Sequence, residues 1–174
     1  MAQQARNLTG VERRFPEDEL IVSKTDAGGR ITYANDVFLR VSGYAEAELV
    51  GKPHSIVRHP HMPRCLFRLM WQRIQTGEEV FVYLNNRAKT GDHYWVLAHV
   101  TPNLDGAGRL VGFHSNRRVP RREVIERLTP FYGRLSAEEE RHQSRKAGME
   151  AADRMLRDVL AKEGMSYDRF VLSL

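Results

Sequence analysis

The sequence predicts an α+β fold, a five-stranded antiparallel sheet with helices on one face, followed by a C-terminal helical extension. Three observations lead there. Two short strand-like runs flank an Asp-Ala-Gly-Gly turn within "LIVSKTDAGGRITYAND". Three longer ones, "EVFVYLNNRA", "HYWVLAHVTPN" and "RLVGFHSNR", follow one another across tight turns. Segments of helical period fill the stretch between the two groups. Strands joined by short turns pair antiparallel, and helices gathered in one block of sequence cover one face of the sheet they interrupt.

Residues 20–24 and 30–34 form the first hairpin, its turn set by Gly28 and Gly29. Short helices are predicted over 35–42, 45–50 and 63–76, with Asn35 placed to cap the first. The third starts on Pro63, suited to a first helical turn, and stops at Gly77. Leu66, Leu69, Met70 and Ile74 recur at helical spacing along it, so it buries one face. The meander of three strands then runs to Arg118, and Pro120 interrupts the pattern. Beyond it, helices are expected over 121–135 and 136–163, the second opened by a capping box of Ser136 and Glu139. Its stripe of Met149, Ala152, Leu156, Val159 and Leu160 is expected to serve self-association or contact with a partner. The organisation is thus an N-terminal segment (1–18), an α+β domain (19–118) and a helical extension (119–174).

Composition narrows the class. A hydrophobic fraction of 41% and a charged fraction of 28% fit a globular protein, with no apolar run long enough to span a bilayer and no secretory leader. With one cysteine there is no internal disulfide, and a cytoplasmic location is expected. The net charge of +5 does not argue for nucleic acid, because the dense run "RRVPRR" carries no interleaved aromatics.

The stretch "GKPHSIVRHPHMPRCLF" (51–67) concentrates the chemistry. Arg58 offers a planar cationic fork and His59 a switchable donor, both suited to a pyrophosphate, on a loop stiffened by Pro60 and Pro63. His54, His59 and His61 have no recognised zinc spacing, and no cysteine pair or acidic residue joins them, so no metal site is expected. No positioned acid, base and nucleophile are recognisable, and an enzyme is not expected.

The strings "VSGY", "GKPHSIVRHPHMP", "MW", "NR" and "GDHYWV" resemble the PAS domain of bacterial aerotaxis receptors, over residues 19 to about 118. The resemblance implies non-covalently bound FAD whose redox state is reported to a chemotaxis-type signalling partner. It implies that Arg58 and His59 meet the flavin. His61, Trp71, Asn86 and Trp95 complete the expected cofactor set. Asn86 matches the asparagine that light-oxygen-voltage domains turn to the flavin's pyrimidine edge, while Trp71 and Trp95 are candidate flat surfaces. Trp95 and Tyr94 alternate on their strand, so only one of them faces a given pocket. The light-oxygen-voltage cysteine position is occupied by His54, and Cys65 lies too far along the chain for that photochemistry. The sequence departs from the receptors at His61, where they usually carry Asp, and at Val80 and Val82, where they usually carry Trp and Gly. A module that binds no cofactor and works by association, and a haem sensor using one of the histidines, are the alternatives.

Overall fold

The computed structural model describes residues 8–174. The sheet is five-stranded and antiparallel, built from β1 (Ile21–Asp26), β2 (Ile31–Ala34), β3 (Val80–Arg87), β4 (His93–Leu104) and β5 (Leu110–Arg118) in the order β2-β1-β5-β4-β3. The β3–β4–β5 meander supplies three neighbouring strands, and β1 closes the other side by pairing with β5. Between β2 and β3 lie α1 (Asp36–Ser42), α2 (Glu46–Leu49), a single 3₁₀ turn (His54–Val57) and α3 (Arg64–Gln75). The helices α4 (Arg122–Glu140), α5 (Arg145–Lys162) and α6 (Tyr167–Leu172) complete the chain. The predicted elements are all present; the 3₁₀ turn and α6 are additions.

Two compact units emerge. One comprises the described residues up to Pro60 together with Arg73–Pro120, and so holds the whole sheet. The other comprises His61–Gln72 with Arg121–Leu174. Most of α3 therefore groups with the C-terminal helices.

In the sheet unit, Asn35 ties the first strands to α1. Its side-chain oxygen accepts from Phe38 N–H at 3.0 Å and from Val22 N–H at 2.9 Å, and its amide donates to the Leu20 carbonyl at 2.8 Å. One residue thus caps a helix and spans the β1–β2 edge. Strand register fixes the two faces. Ile21 and Ser23 on β1, Ser115 and Arg117 on β5, Ala98 and Val100 on β4 and Val80 and Val82 on β3 are paired across the sheet and share one face, here called the inner face. The apolar members of that set are buried, and Phe38 of α1 packs over the Arg117 guanidinium on the same side. Segment 9–13 runs beside the start of β4, with Arg13 N–H donating to the His93 carbonyl and Arg13 Nε to Asp92 at 2.7 Å.

In the helical unit the expected break at residue 135 does not occur: α4 continues to Glu140, through Pro130 and Gly133. Ala137 and the three glutamates after it are good helix formers, and the chain turns only at 141–144. There Ser144, not Ser136, caps the next helix by accepting from Ala147 N–H. The Ser136–Glu139 pair predicted as a capping box sits inside α4 and has distant partners instead. The apolar stripe of α5 is also corrected. Ala152, Leu156 and Leu160 are buried within the unit, with Met149 and Val159 half-buried, so the stripe is not a wet face awaiting a second copy. Contact between α4 and α5 is close enough that a Cβ on Gly148 would lie 2.2 Å from the Glu139 carbonyl oxygen. Gly148→Ala must push these backbones apart, and it is expected to cost about 1–3 kcal/mol in chemical denaturation.

Candidate functional site

The inner face of the sheet is apolar except near one buried cation. Arg117 is 2% exposed and has no carboxylate partner among the described residues. Its Nη2 donates to Ser23 Oγ and, at 2.6 Å, to His54 Nε2. The guanidinium lies 5.0 Å from the Phe38 ring centroid, and His54 stacks on the same ring at 5.8 Å. The 3₁₀ turn brings His54 over the sheet: its backbone N–H donates to the Gly29 carbonyl, and the Pro53 before it bridges to Arg30.

Burial holds the Arg117 guanidinium down to about 10, still charged at neutral pH. His54 as a residue is half-buried, but its ring is enclosed, and burial followed by the Arg117 charge lowers it to about 3. The ring is neutral and accepts at Nε2, which leaves its proton on Nδ1.

Five polar groups on this face have atoms without a hydrogen-bond partner: Arg117 Nη1, Ser115 Oγ, Thr25 Oγ1, Tyr94 O–H and the Asn86 amide nitrogen. Tyr94 is fully buried, and burial pushes its phenol upward against the opposing pull of Arg117. Asn86 and Tyr94 are cross-strand partners, so their side chains emerge together. Each such buried group costs free energy unless a partner arrives, and five on one face make it the candidate ligand site. A flavin dinucleotide, with its anionic pyrophosphate and the donor and acceptor pattern of its ring edge, matches this donor set.

Of the six residues picked from sequence, Asn86 lies on this face and Arg58 adjoins it through the backbone, while His59 meets His93, which shares the face of Trp95. Arg58 ends the 3₁₀ turn and its backbone bridges antiparallel to Asn86, and His59 is buried with its ring edge-on to His93 at 5.9 Å. Trp95 is opposite Asn85 in the ladder and therefore on the other face from Asn86 and Tyr94. One residue of strand alternation separates them, so Trp95 does not share the inner face. His61 and Trp71 belong to the helical unit, where the His61 carbonyl accepts from Ser136 Oγ.

The reading of isolated residues missed His54 as a site residue, and with it Ser23, Tyr94, Ser115 and Arg117. Alternation along β5 carried the signal, since Phe113, Ser115 and Arg117 occupy one face. Among the described residues no group of three or more His, Cys, Asp or Glu side chains is placed to hold a metal ion. The Nε2 lone pair that an axial histidine would need is engaged by Arg117 in His54. Cys65 is buried, and burial with the nearby Glu139 and Asp153 carboxylates pushes its thiol up to about 12, away from nucleophilic chemistry.

A sheet in the order 2-1-5-4-3 with its short helices between the second and third strands defines the class of PAS sensory modules. The chain belongs to the PAS fold family, whose model matches residues 21–116. Among curated proteins it is 42% identical over 121 residues to the aerotaxis receptor of Escherichia coli K12, an alignment covering 70% of this chain and 24% of that one. It is 33% identical over 97 residues to a nitrogen fixation regulatory protein of Klebsiella pneumoniae, covering 56% and 20%. With the biofilm dispersion protein BdlA of Pseudomonas aeruginosa it shares 33% identity over 87 residues, covering 49% and 21%. The chain thus spans about a quarter or less of the length of these relatives. Among solved structures, the dark state of the blue-light photoreceptor Aureochrome1 LOV superposes with a TM-score of 0.56 at 24% identity, covering 63% of this chain and 82% of that one. That likeness establishes the fold. Among the described residues no helix is long and apolar enough to cross a membrane.

The His54 geometry has a consequence for stability. Its pKa falls from the ordinary 6.5 to about 3 on folding, so between those values the unfolded chain binds more protons than the folded one. Stability contributed by neutral His54 is present above pH 6.5 and declines as pH falls toward 3, by on the order of 2–4 kcal/mol. His54→Gln keeps an acceptor for Arg117 and removes the titration. Urea unfolding between pH 6.5 and 4.5 is expected to show a shallower loss of stability in the variant than in the wild type, and equal slopes would refute the assignment.

Proposed function

We propose that this chain is the input module of a redox or energy sensor, holding FAD non-covalently against the inner face of the sheet and passing its state to a chemotaxis-type signalling partner. The observation that carries the reading is Arg117: a buried guanidinium without a counter-ion, its Nη1 unused, on one face with four other polar groups that have an unpartnered atom. Burying such a charge uncompensated costs several kcal/mol, and an anionic ligand would offset it. Arg117, Asn86, Tyr94 and Ser115 would hold the cofactor from the sheet, with Arg58 and His59 contributing from the adjoining loop. FAD would supply reversible two-electron chemistry, in which reduction adds negative charge to its ring. A buried cation would favour the more negative form, and neutral His54 fixes that cation's position by taking its other nitrogen. The 42% identity to an aerotaxis receptor supports the sensory role and the class of partner. A light-oxygen-voltage domain studied with a flavin analogue, 21% identical with a TM-score of 0.56, is in keeping with the choice of cofactor.

A cofactor-free PAS module acting by association is the second reading, favoured by Val80 and Val82. Both are fully buried on the inner face where the related receptors usually carry Trp and Gly. The visible spectrum of protein purified after expression with ample riboflavin separates the two readings, since bound oxidised flavin absorbs near ~450 nm.

Substitution localises the site. Arg117→Met removes the uncompensated charge while keeping much of its volume, so the FAD-free protein is expected to be as stable as the wild type or more so, with FAD affinity lowered by about tenfold or more. Arg58→Ala is expected to lower flavin per chain and leave the fold intact, because a charge-assisted hydrogen bond contributes roughly 1.5–3 kcal/mol. Both are read by flavin absorbance after gel filtration together with thermal unfolding. Arg117→Met that retains flavin fully would remove the basis of this reading.

A further inference from the structure

The unpartnered atoms of the inner face share one chemistry: every one of them can donate. Arg117 Nη1 and the Asn86 amide nitrogen can do nothing else, and the hydroxyls of Thr25, Tyr94 and Ser115 each carry a proton to give. The acceptors beside Arg117 are already taken, because Ser23 Oγ and His54 Nε2 both accept from its Nη2. Surplus donors around one uncompensated positive charge match an anion rich in acceptors. Water would satisfy the hydroxyls but leave the guanidinium charge, whose burial is the larger cost.

Strand register divides the five groups into two sets. Ser115 pairs with Ser23 and Phe113 with Thr25, so Thr25 and Ser115 are diagonal neighbours on β1 and β5, with Arg117 two residues further along β5. Asn86 and Tyr94 lie opposite each other on β3 and β4. The first set brings a cation and two hydroxyls from adjacent strands, and residues two apart on a strand are separated by roughly 7 Å. Donors spread in this way suit a group whose oxygens point in several directions, as in a tetrahedral oxyanion, better than a halide or a planar carboxylate. The second set carries no charge of its own and suits the neutral carbonyls of a ring edge.

We infer that Arg117, Ser115 and Thr25 form an oxyanion subsite for a phosphoryl group, taken either as free inorganic phosphate or as part of a nucleotide cofactor. The inference deepens the FAD reading by assigning one half of the face on which that reading rests, and it holds for the chain without FAD as well. Free phosphate and the FAD pyrophosphate then compete for the same donors.

The test uses the full chain stripped of flavin, inorganic phosphate, and the phosphorus NMR line width of that phosphate at constant ionic strength set with sodium chloride. The wild type is expected to broaden the line saturably. Arg117→Met is expected to weaken phosphate binding by about tenfold or more, since charge-assisted hydrogen bonds are lost. Ser115→Ala and Thr25→Val each remove one neutral donor and are expected to weaken it by about threefold. These two variants decide the matter if Arg117→Met does not fold. Arg118→Met removes the same charge from an exposed neighbour on the opposite face and is expected to bind as the wild type does. No broadening by the wild type, broadening unchanged in Arg117→Met, or equal losses in Arg117→Met and Arg118→Met would overturn the subsite. Adding FAD to the wild type is expected to restore the narrow line. If FAD binds and the line stays broad, the cofactor's phosphates lie elsewhere and the shared subsite is overturned. If the chain takes up no FAD, the cofactor reading fails while the phosphate titrations still decide the subsite.

Discussion

A charge buried without a counter-charge is the constraint around which the sheet unit is arranged. Arg117 sits on a central strand, and water is not available to solvate it. The surroundings compensate in part: a hydroxyl from β1, an imidazole kept neutral, and the face of Phe38 from α1. Each comes from a different element, so the guanidinium ties β1, β5, α1 and the 3₁₀ turn to one another. Compensation by dipoles and an aromatic face is weaker than compensation by a carboxylate. The remaining deficit is the feature on which the proposed anion site rests.

The same polar economy explains why His54 is a histidine. A carboxylate there would neutralise Arg117 and remove its attraction for a ligand, and an apolar residue would leave its Nη2 with one partner fewer. A neutral imidazole satisfies the donor without cancelling the charge. The cost is sensitivity to acid, because the ring must remain deprotonated well below its ordinary pKa.

In the helical unit the buried charge has the opposite sign and is fully matched. Glu139 meets both a guanidinium and a helix terminus. A paired buried charge gives little net stability, but removing one partner is costly, so it specifies one arrangement over near alternatives. The two units thus differ: one buries an anion that is fully matched and fixes a helix, the other a cation short of partners, on which the proposed ligand site rests.

The sequence by itself determined the strand and helix order, the antiparallel pairing, the Asn35 cap and the loop bearing Arg58 and His59. These follow from local rules: alternation, turn chemistry, helical period and capping all act over a few residues. It also placed Asn86 on a strand with Tyr94 and Trp95, but which of the two aromatic residues shares its face was settled by the β3–β4 register. Only the tertiary structure decided that Arg117 is buried, since a run of arginines looks solvated until the strand carrying the first of them is placed at the centre of a sheet. Only the tertiary structure decided that Ser136 and Glu139 grip α3 rather than cap their own helix. A capping box and a long-range clamp use the same side-chain chemistry, and the choice between them depends on which unpaired backbone N–H lies within reach. That distance is set by packing across 74 residues of chain and is invisible to any short window of sequence.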